Sequence, residues 1–198
     1  MERVLLPEPV SIAQNLQDVL IHRHSAVSGN PEEPITLVEL SALLGHSLRK
    51  RPKNTTSRNY PSGGALYPVE TYLISTAIET QLPSVFHYNP SEHSLERLWP
   101  LPEAFDMKSI AKHPESLPLS TLIVFTSVWR RSAAKYGDLA YQHALLEAGH
   151  MSENILLVAT ALEINARPYA GFEDNLIAEL LDLDETEEQS VHTVTICK

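Results

Sequence analysis

Apolar positions recur along the chain in two rhythms, and each change of rhythm marks a new element. Ile12, Leu16, Val19 and Leu20 follow helical spacing and predict a helix over residues 11–22. Leu37, Leu40, Leu43 and Leu44 repeat that spacing behind Thr36 and Glu39, a pair placed as in a capping box. Residues 69–77 switch to strand composition, and residues 85–88 and 95–99 predict a hairpin about Asn89-Pro90-Ser91. Residues 103–113 predict another helix, and the β-branched run 121–128 predicts a buried strand. Gly137 breaks the chain before the longest helix, 138–162. Residues 166–171 then form a connection through Pro168 and Gly171 to a short helix at 174–182, and 191–197 predict a last strand. Polar, proline-containing stretches at 26–35 and 49–62 are loops, the second long enough to move over a binding site. Helices before, between and after the strands predict an α+β fold, a layered sheet in one domain over residues 1–198.

The 198 residues are 43% apolar, enough for a substantial core. A net charge of −10 argues against nucleic acid and anionic membranes as partners. One cysteine, Cys197, excludes an internal disulfide framework and a cysteine-rich metal site. Met1 leads into Glu2-Arg3-Val4 rather than a signal-like apolar stretch, and the run 155–162 is far too short to cross a bilayer. The expectation is a soluble, cytoplasmic protein.

Five segments carry candidate chemistry. In Pro61-Ser62-Gly63-Gly64-Ala65-Leu66-Tyr67-Pro68, two glycines permit a sharp turn and the prolines stiffen both ends. A flat polar ligand could lie on such a loop and accept its N–H groups; the plain alternative is a tight turn before a strand. Lys135-Tyr136-Gly137 precedes the long helix. A lysine acts as a base where its surroundings disfavour the ammonium form, as burial beside a ligand does. Neighbours on a helix diverge by about 100°, so Lys135 and Tyr136 share a pocket only if the backbone bends, which Gly137 allows. His143, Glu147, His150 and Asn154 make a narrow polar stripe on the long helix. It could be a zinc or iron face, but the zincin order and the ligands of a bundle site are missing, so a subunit or cofactor interface is preferred and no metal is expected. Arg167-Pro168-Tyr169-Ala170-Gly171-Phe172 is a second loop suited to a flat ligand, and Arg23-His24-Ser25 could hold a phosphate or be a solvated helix end. GxGxxG, Walker A and G-x-S-x-G sequences are absent.

Taken in order, these pieces resemble the nitroreductase-like flavoproteins and, within them, the SagB/ThcOx-type dehydrogenases, from about residue 16 to residue 194. The Pro61–Glu70 stretch and Leu145-Leu146-Glu147-Ala148-Gly149-His150 with Asn154 are the specific matches. The resemblance implies a three-layer α-β-α sandwich around a mostly antiparallel sheet, a homodimer, and FMN at the subunit interface. It implies that Arg23 and Ser25 hold the FMN phosphate with His24 beside them. Ser62, Gly63 and Gly64, with Pro61 at the loop's start, would contact the flavin from the neighbouring subunit. Ala170 and Gly171 would lie against the isoalloxazine, donating N–H towards N5. Lys135 and Tyr136 match a pair implicated in catalysis in azoline-oxidising members. The implied reaction is oxidation of a thiazoline or oxazoline, peptide-derived or carrier-bound, to an azole. A cyclodehydratase or a carrier or peptide-recognition protein would be the partner. An NAD(P)H-dependent nitro or quinone reductase, a cyclic dipeptide oxidase and a non-catalytic scaffold subunit are the alternatives. Two departures bear on the phosphate. Val27 stands where many relatives have a second cation, and Lys198 is the candidate substitute for a basic tail.

Overall fold

The computed structural model describes residues 2–51, 57–113 and 119–198. Seven strands form one antiparallel sheet: β1 (Glu2–Leu5), β2 (Val69–Ser75), β3 (Ser84–Asn89), β4 (Ser94–Pro100), β5 (Thr121–Val128), β6 (Asn165–Tyr169) and β7 (Glu188–Cys197). Their order is β1-β4-β3-β2-β5-β7-β6. β5 is buried at every position and shows why the sheet needs cover on both faces. Its Ile123 and Phe125 enter one core with Leu40, Leu43, Met151 and Ile155; Leu122 and Val124 enter the other with Ile177 and Leu181. Alternate residues serve opposite faces, as strand geometry requires.

The first face is covered by α2 (Leu37–Leu48) and α4 (Leu139–Ala161), the second by α5 (Asp174–Leu181) and a single 3-10 turn, Met107–Ile110. This is the expected α-β-α sandwich. α1 (Leu16–His22) and α3 (Arg130–Tyr136) flank α4. The capping box opens α2: Glu39 N–H donates to Thr36 Oγ1 at 3.1 Å, and Thr36 N–H donates to Glu39 Oε2 at 3.0 Å. Among the described residues no helix is long and apolar enough to cross a membrane.

Three expectations are corrected and two elements are added. The first helix starts at Leu16, because Asn15 caps it by accepting from Asp18 N–H at 3.0 Å. The helix expected at 103–113 shrinks to one turn. Asp106 caps Lys108, and the following backbone is drawn into bonds with Gly171 and Glu173 instead of continuing the helix. Residues 165–169 form a strand where a connection was expected. β6 lies at the sheet's edge, where the missing N–H of Pro168 is tolerated. α3 and β1 have no counterpart in the periodicity reading; both are short, and β1 is an edge strand. Part of the 49–62 loop, residues 52–56, lies outside the described residues.

Candidate functional site

The Pro61–Pro68 loop is held in an uncommon backbone conformation. Gly64, Ala65 and Tyr67 have φ of 63°, 55° and 48°. Left-handed backbone costs an L-residue about 1–2 kcal/mol, so two non-glycine instances in four residues need outside support. They receive it. Tyr67 N–H donates to Ser62 Oγ at 2.9 Å, and Arg131 of α3 donates to the Tyr67 carbonyl at 3.2 Å. Arg58 N–H donates to Tyr67 Oη at 3.0 Å, and its guanidinium lies 4.7 Å from the Tyr67 ring centre.

Lys135 and Tyr136 meet at this loop. A Cβ added to Gly64 would lie 2.6 Å from Tyr136 Oη and 2.7 Å from Lys135 Nζ. Only glycine permits this approach. The adjacent side chains converge because α3 ends at Tyr136, with Gly137 at φ 53° turning the chain into α4. Next along the loop, Gly63 faces His143, whose Nδ1 would be 3.1 Å from an added Cβ; the His143 and Tyr136 rings are 4.5 Å apart.

The polar stripe of α4 is the rail on which this loop sits. Asn154 donates to the carbonyls of Ser47 and Asn59 at 3.2 and 3.1 Å. Glu147, 2% exposed, accepts from Val69 N–H at 3.4 Å. Its other oxygen, Oε2, is sealed from solvent without a hydrogen-bond partner, while Ser62, on the same cleft, favours the charged form. Burial raises the Glu147 pKa to about 7, against the pull of Ser62, Val69 N–H, Arg58 and Arg131. A cleft of about 200 Å³ opens between Pro61, Ser62 and Gly63 on one side and His143, Leu146 and His150 on the other. Among the described residues no three metal-ligating side chains are drawn together.

A second network braces the loop from behind. Glu70 pairs with Arg131 and accepts from His87 at 2.9 Å; His87 reaches Glu96 at 3.3 Å. Burial alone would raise Glu70 and lower His87, but their mutual contact, with Arg131 and Glu96, reverses both shifts. Sequence reasoning missed Arg131 and Arg58, and took in Glu70 only as the end of a matched stretch, because nothing local marks a residue whose partners lie on other elements.

The remaining candidates lie apart from this loop. Arg23 caps α1 and reaches Glu153 at 3.7 Å, while His24 shares a cleft of about 290 Å³ with Thr160 and Asn165. His143, beside Gly63, precedes Glu153 and Thr160 by ten and seventeen residues, about 15–25 Å of helix. Ser25 and Ala170 are exposed. Gly171 packs over Tyr169, whose Oη would be 2.8 Å from an added Cβ, and its carbonyl accepts from Lys112 N–H at 2.8 Å. Lys198, the expected substitute cation, is engaged by Glu39. α4 and α1 expose Leu139, Tyr141, Leu145, Leu146, Leu16, Leu20 and Ile21, each 39–67% accessible.

A model described as the nitroreductase family matches residues 30–197. A Methanocaldococcus jannaschii protein named as a nitroreductase is 30% identical over 86% of this chain and 85% of its own length. The microcin B17-processing protein McbC of Escherichia coli is 27% identical over 81% of this chain; the match spans 61% of McbC, under two thirds of it. The structure of the E. coli microcin synthetase McbBCD complex with truncated pro-MccB17 bound contains a similar fold: TM-score 0.76, 23% identity, 98% of this chain and 77% of that one. A nitroreductase-type protein of Exiguobacterium sibiricum, solved in complex with FMN, matches with TM-score 0.62 and 14% identity over 95% of this chain and 90% of its own. With almost the whole sandwich inside the matched span, the chain belongs to the nitroreductase family of oxidoreductases.

Proposed function

We propose that this chain is an FMN-dependent oxidase of the SagB/ThcOx type that converts a peptide-derived or carrier-bound azoline to an azole. The observation that carries the reading is the convergence of Lys135 Nζ and Tyr136 Oη on Gly64. A reductase has no use for a base there; an oxidase that must strip a proton and a hydride from a ring does. The residues fit the cofactor. A glycine pair approached closely by side chains gives a flat ligand exposed backbone, Gly171 supplies a second such surface, and Arg23 with Ser25 offers donors to a phosphate.

Lys135 takes the ring proton next to the carbonyl, and Tyr136, whose ring centre is 5.2 Å from Lys135 Nζ, holds the amine in place. FMN, when bound, supplies the hydride acceptor. The separation of Arg23–Ser25 from Ser62–Gly64 along α4 favours a site shared between two copies. The exposed apolar face of α4 and α1 is the surface on which they would meet. The name of McbC, a microcin B17-processing protein, and the McbBCD synthetase complex with truncated pro-MccB17 bound support a peptide substrate handled within a complex, for which a cyclodehydratase is the partner we propose.

The test is Lys135→Ala assayed on a thiazoline peptide, following loss of two hydrogens by mass spectrometry. The expected result is a fall of at least about 100-fold, the scale of a lost general base, with the yellow flavin spectrum retained. Unchanged turnover would remove the base from the mechanism. The M. jannaschii relative's name favours a second reading, an NAD(P)H-dependent nitro or quinone reductase. NADPH consumption with a nitroaromatic that persists in Lys135→Ala, without azole formation by the wild type, would establish it.

A further inference from the structure

Glu147 is the one buried acid at the site that the proposed chemistry leaves unused. It projects from the third turn of α4 beneath the Pro61–Val69 segment. Oε1 has a donor in Val69 N–H; Oε2 is shut away from water with no well-formed bond. Ser62 lines the same cleft as Glu147, and its oxygen already accepts from Tyr67 N–H.

The hydrogen-bond inventory of a serine allows two arrangements here. A hydroxyl has one proton and two acceptor positions. One acceptor position of Ser62 is taken by Tyr67. If Glu147 is ionised, Oε2 is an acceptor in a dry place, and the Ser62 proton is the donor at hand. The hydroxyl then turns inward and offers a ligand nothing. If Glu147 carries its proton, Oε2–H donates to the second acceptor position of Ser62. The Ser62 proton is then free to point into the cleft.

We infer that Glu147 is a positioning residue that works as a neutral carboxylic acid, setting Ser62 as a hydrogen-bond donor to an acceptor oxygen of the flavin bound against residues 62–64. This rests on the flavin reading above. The groups that face Glu147 are few. Arg58 and Tyr60 lie on the loop side and Arg131 on α3, while His143 and His150 line the same cleft from α4 itself. The two arginines favour the carboxylate and burial opposes it, leaving the balance near neutrality. The protein therefore loses one ligand hydrogen bond as pH rises through about 7.

The test is FMN binding to the full chain, read by quenching of flavin fluorescence between pH 5.5 and 8.5, for wild type, Glu147→Gln, Glu147→Leu and Ser62→Ala. One neutral hydrogen bond is worth about three- to tenfold in affinity. Wild-type affinity falls by that factor across the range. Glu147→Gln, which keeps a donor that never ionises, stays at the wild-type low-pH value throughout. Glu147→Leu, which has no oxygen to draw the Ser62 proton inward, likewise loses the pH dependence, and Ser62→Ala binds at the weaker level at every pH. Titration of the FMN phosphate is common to all four proteins and cancels in the comparison. A pH dependence in Glu147→Gln equal to that of wild type overturns the inference and leaves the flavin reading standing. Should the Glu147 variants fail to fold, Ser62→Ala decides alone: a pH dependence that survives it overturns the inference. No FMN binding by wild type at any pH refutes the flavin reading and this inference with it.

Discussion

Gly64→Ala is the sharpest perturbation of the proposed site, because the structure fixes what the added methyl meets. At φ 63° alanine pays about 1–2 kcal/mol of backbone strain, which in a chain of this size lowers Tm by about 2–8 °C. The larger effect is local. The new Cβ sits 2.6 Å from Tyr136 Oη and 2.7 Å from Lys135 Nζ, while ordinary contact begins near 3.4 Å. Both tips must retreat by about 0.8 Å, which flexible side chains do at little cost to folding. A misplacement of about 1 Å in a reacting group can cost about 100-fold in rate. The expected variant is therefore folded, slightly less heat-stable, and about 10- to 100-fold slower in azole formation. Thermal denaturation followed by circular dichroism and a steady-state assay on a thiazoline peptide check the two parts separately. Turnover within twofold of wild type would show that Lys135 and Tyr136 are not where the chemistry happens.

Two further outcomes rest on the same geometry. Glu147 has its pKa raised from the ordinary 4.5 to about 7, so the folded state binds the extra proton between those values and stability declines as pH rises through about 7. The rise corresponds to about 3 kcal/mol, so Glu147→Gln unfolds at higher urea than wild type at pH 8 and at the same urea near pH 4; equal midpoints at pH 8 refute the burial argument. Leu145→Glu, on the exposed face of α4, converts a dimer of the 22.1 kDa chain to monomer in sedimentation velocity and releases FMN with it. A wild-type monomer that retains FMN refutes the shared site.

Much of the fold was legible because its signals are local. The capping box of Thr36 and Glu39, the apolar run 121–128 and the long helix after Gly137 each announce themselves within a dozen residues, and each is found. The failures share a cause. The 103–113 segment has a helical pattern, but Asp106 can cap one turn and the backbone beyond it finds better partners in Gly171 and Glu173. Pro168 argues against a strand until one knows that β6 lies at the sheet's edge. In both, the deciding partner is more than fifty residues or a whole sheet away.

The site divides along the same line, and the α4 stripe shows where. His143, Glu147, His150 and Asn154 share a helix face by arithmetic alone, and that much the spacing gives. What the face does depends on what packs against it. A metal, a second subunit and a loop of the same chain are all compatible with the pattern. The structure brings a loop: Asn154 ties down residue 59, Glu147 reaches Val69, and His143 backs Gly63. Once that loop is docked, the stripe's other end comes into play. α3 carries Lys135 and Tyr136 to Gly64, and α3 is itself pinned through Arg131 to Tyr67 and Glu70. The positive φ values at Ala65 and Tyr67 make sense only in that company, since a free loop would relax them. One polar helix face thus fixes the glycine turn, and the turn fixes where the Lys135 amine and the Tyr136 phenol come together.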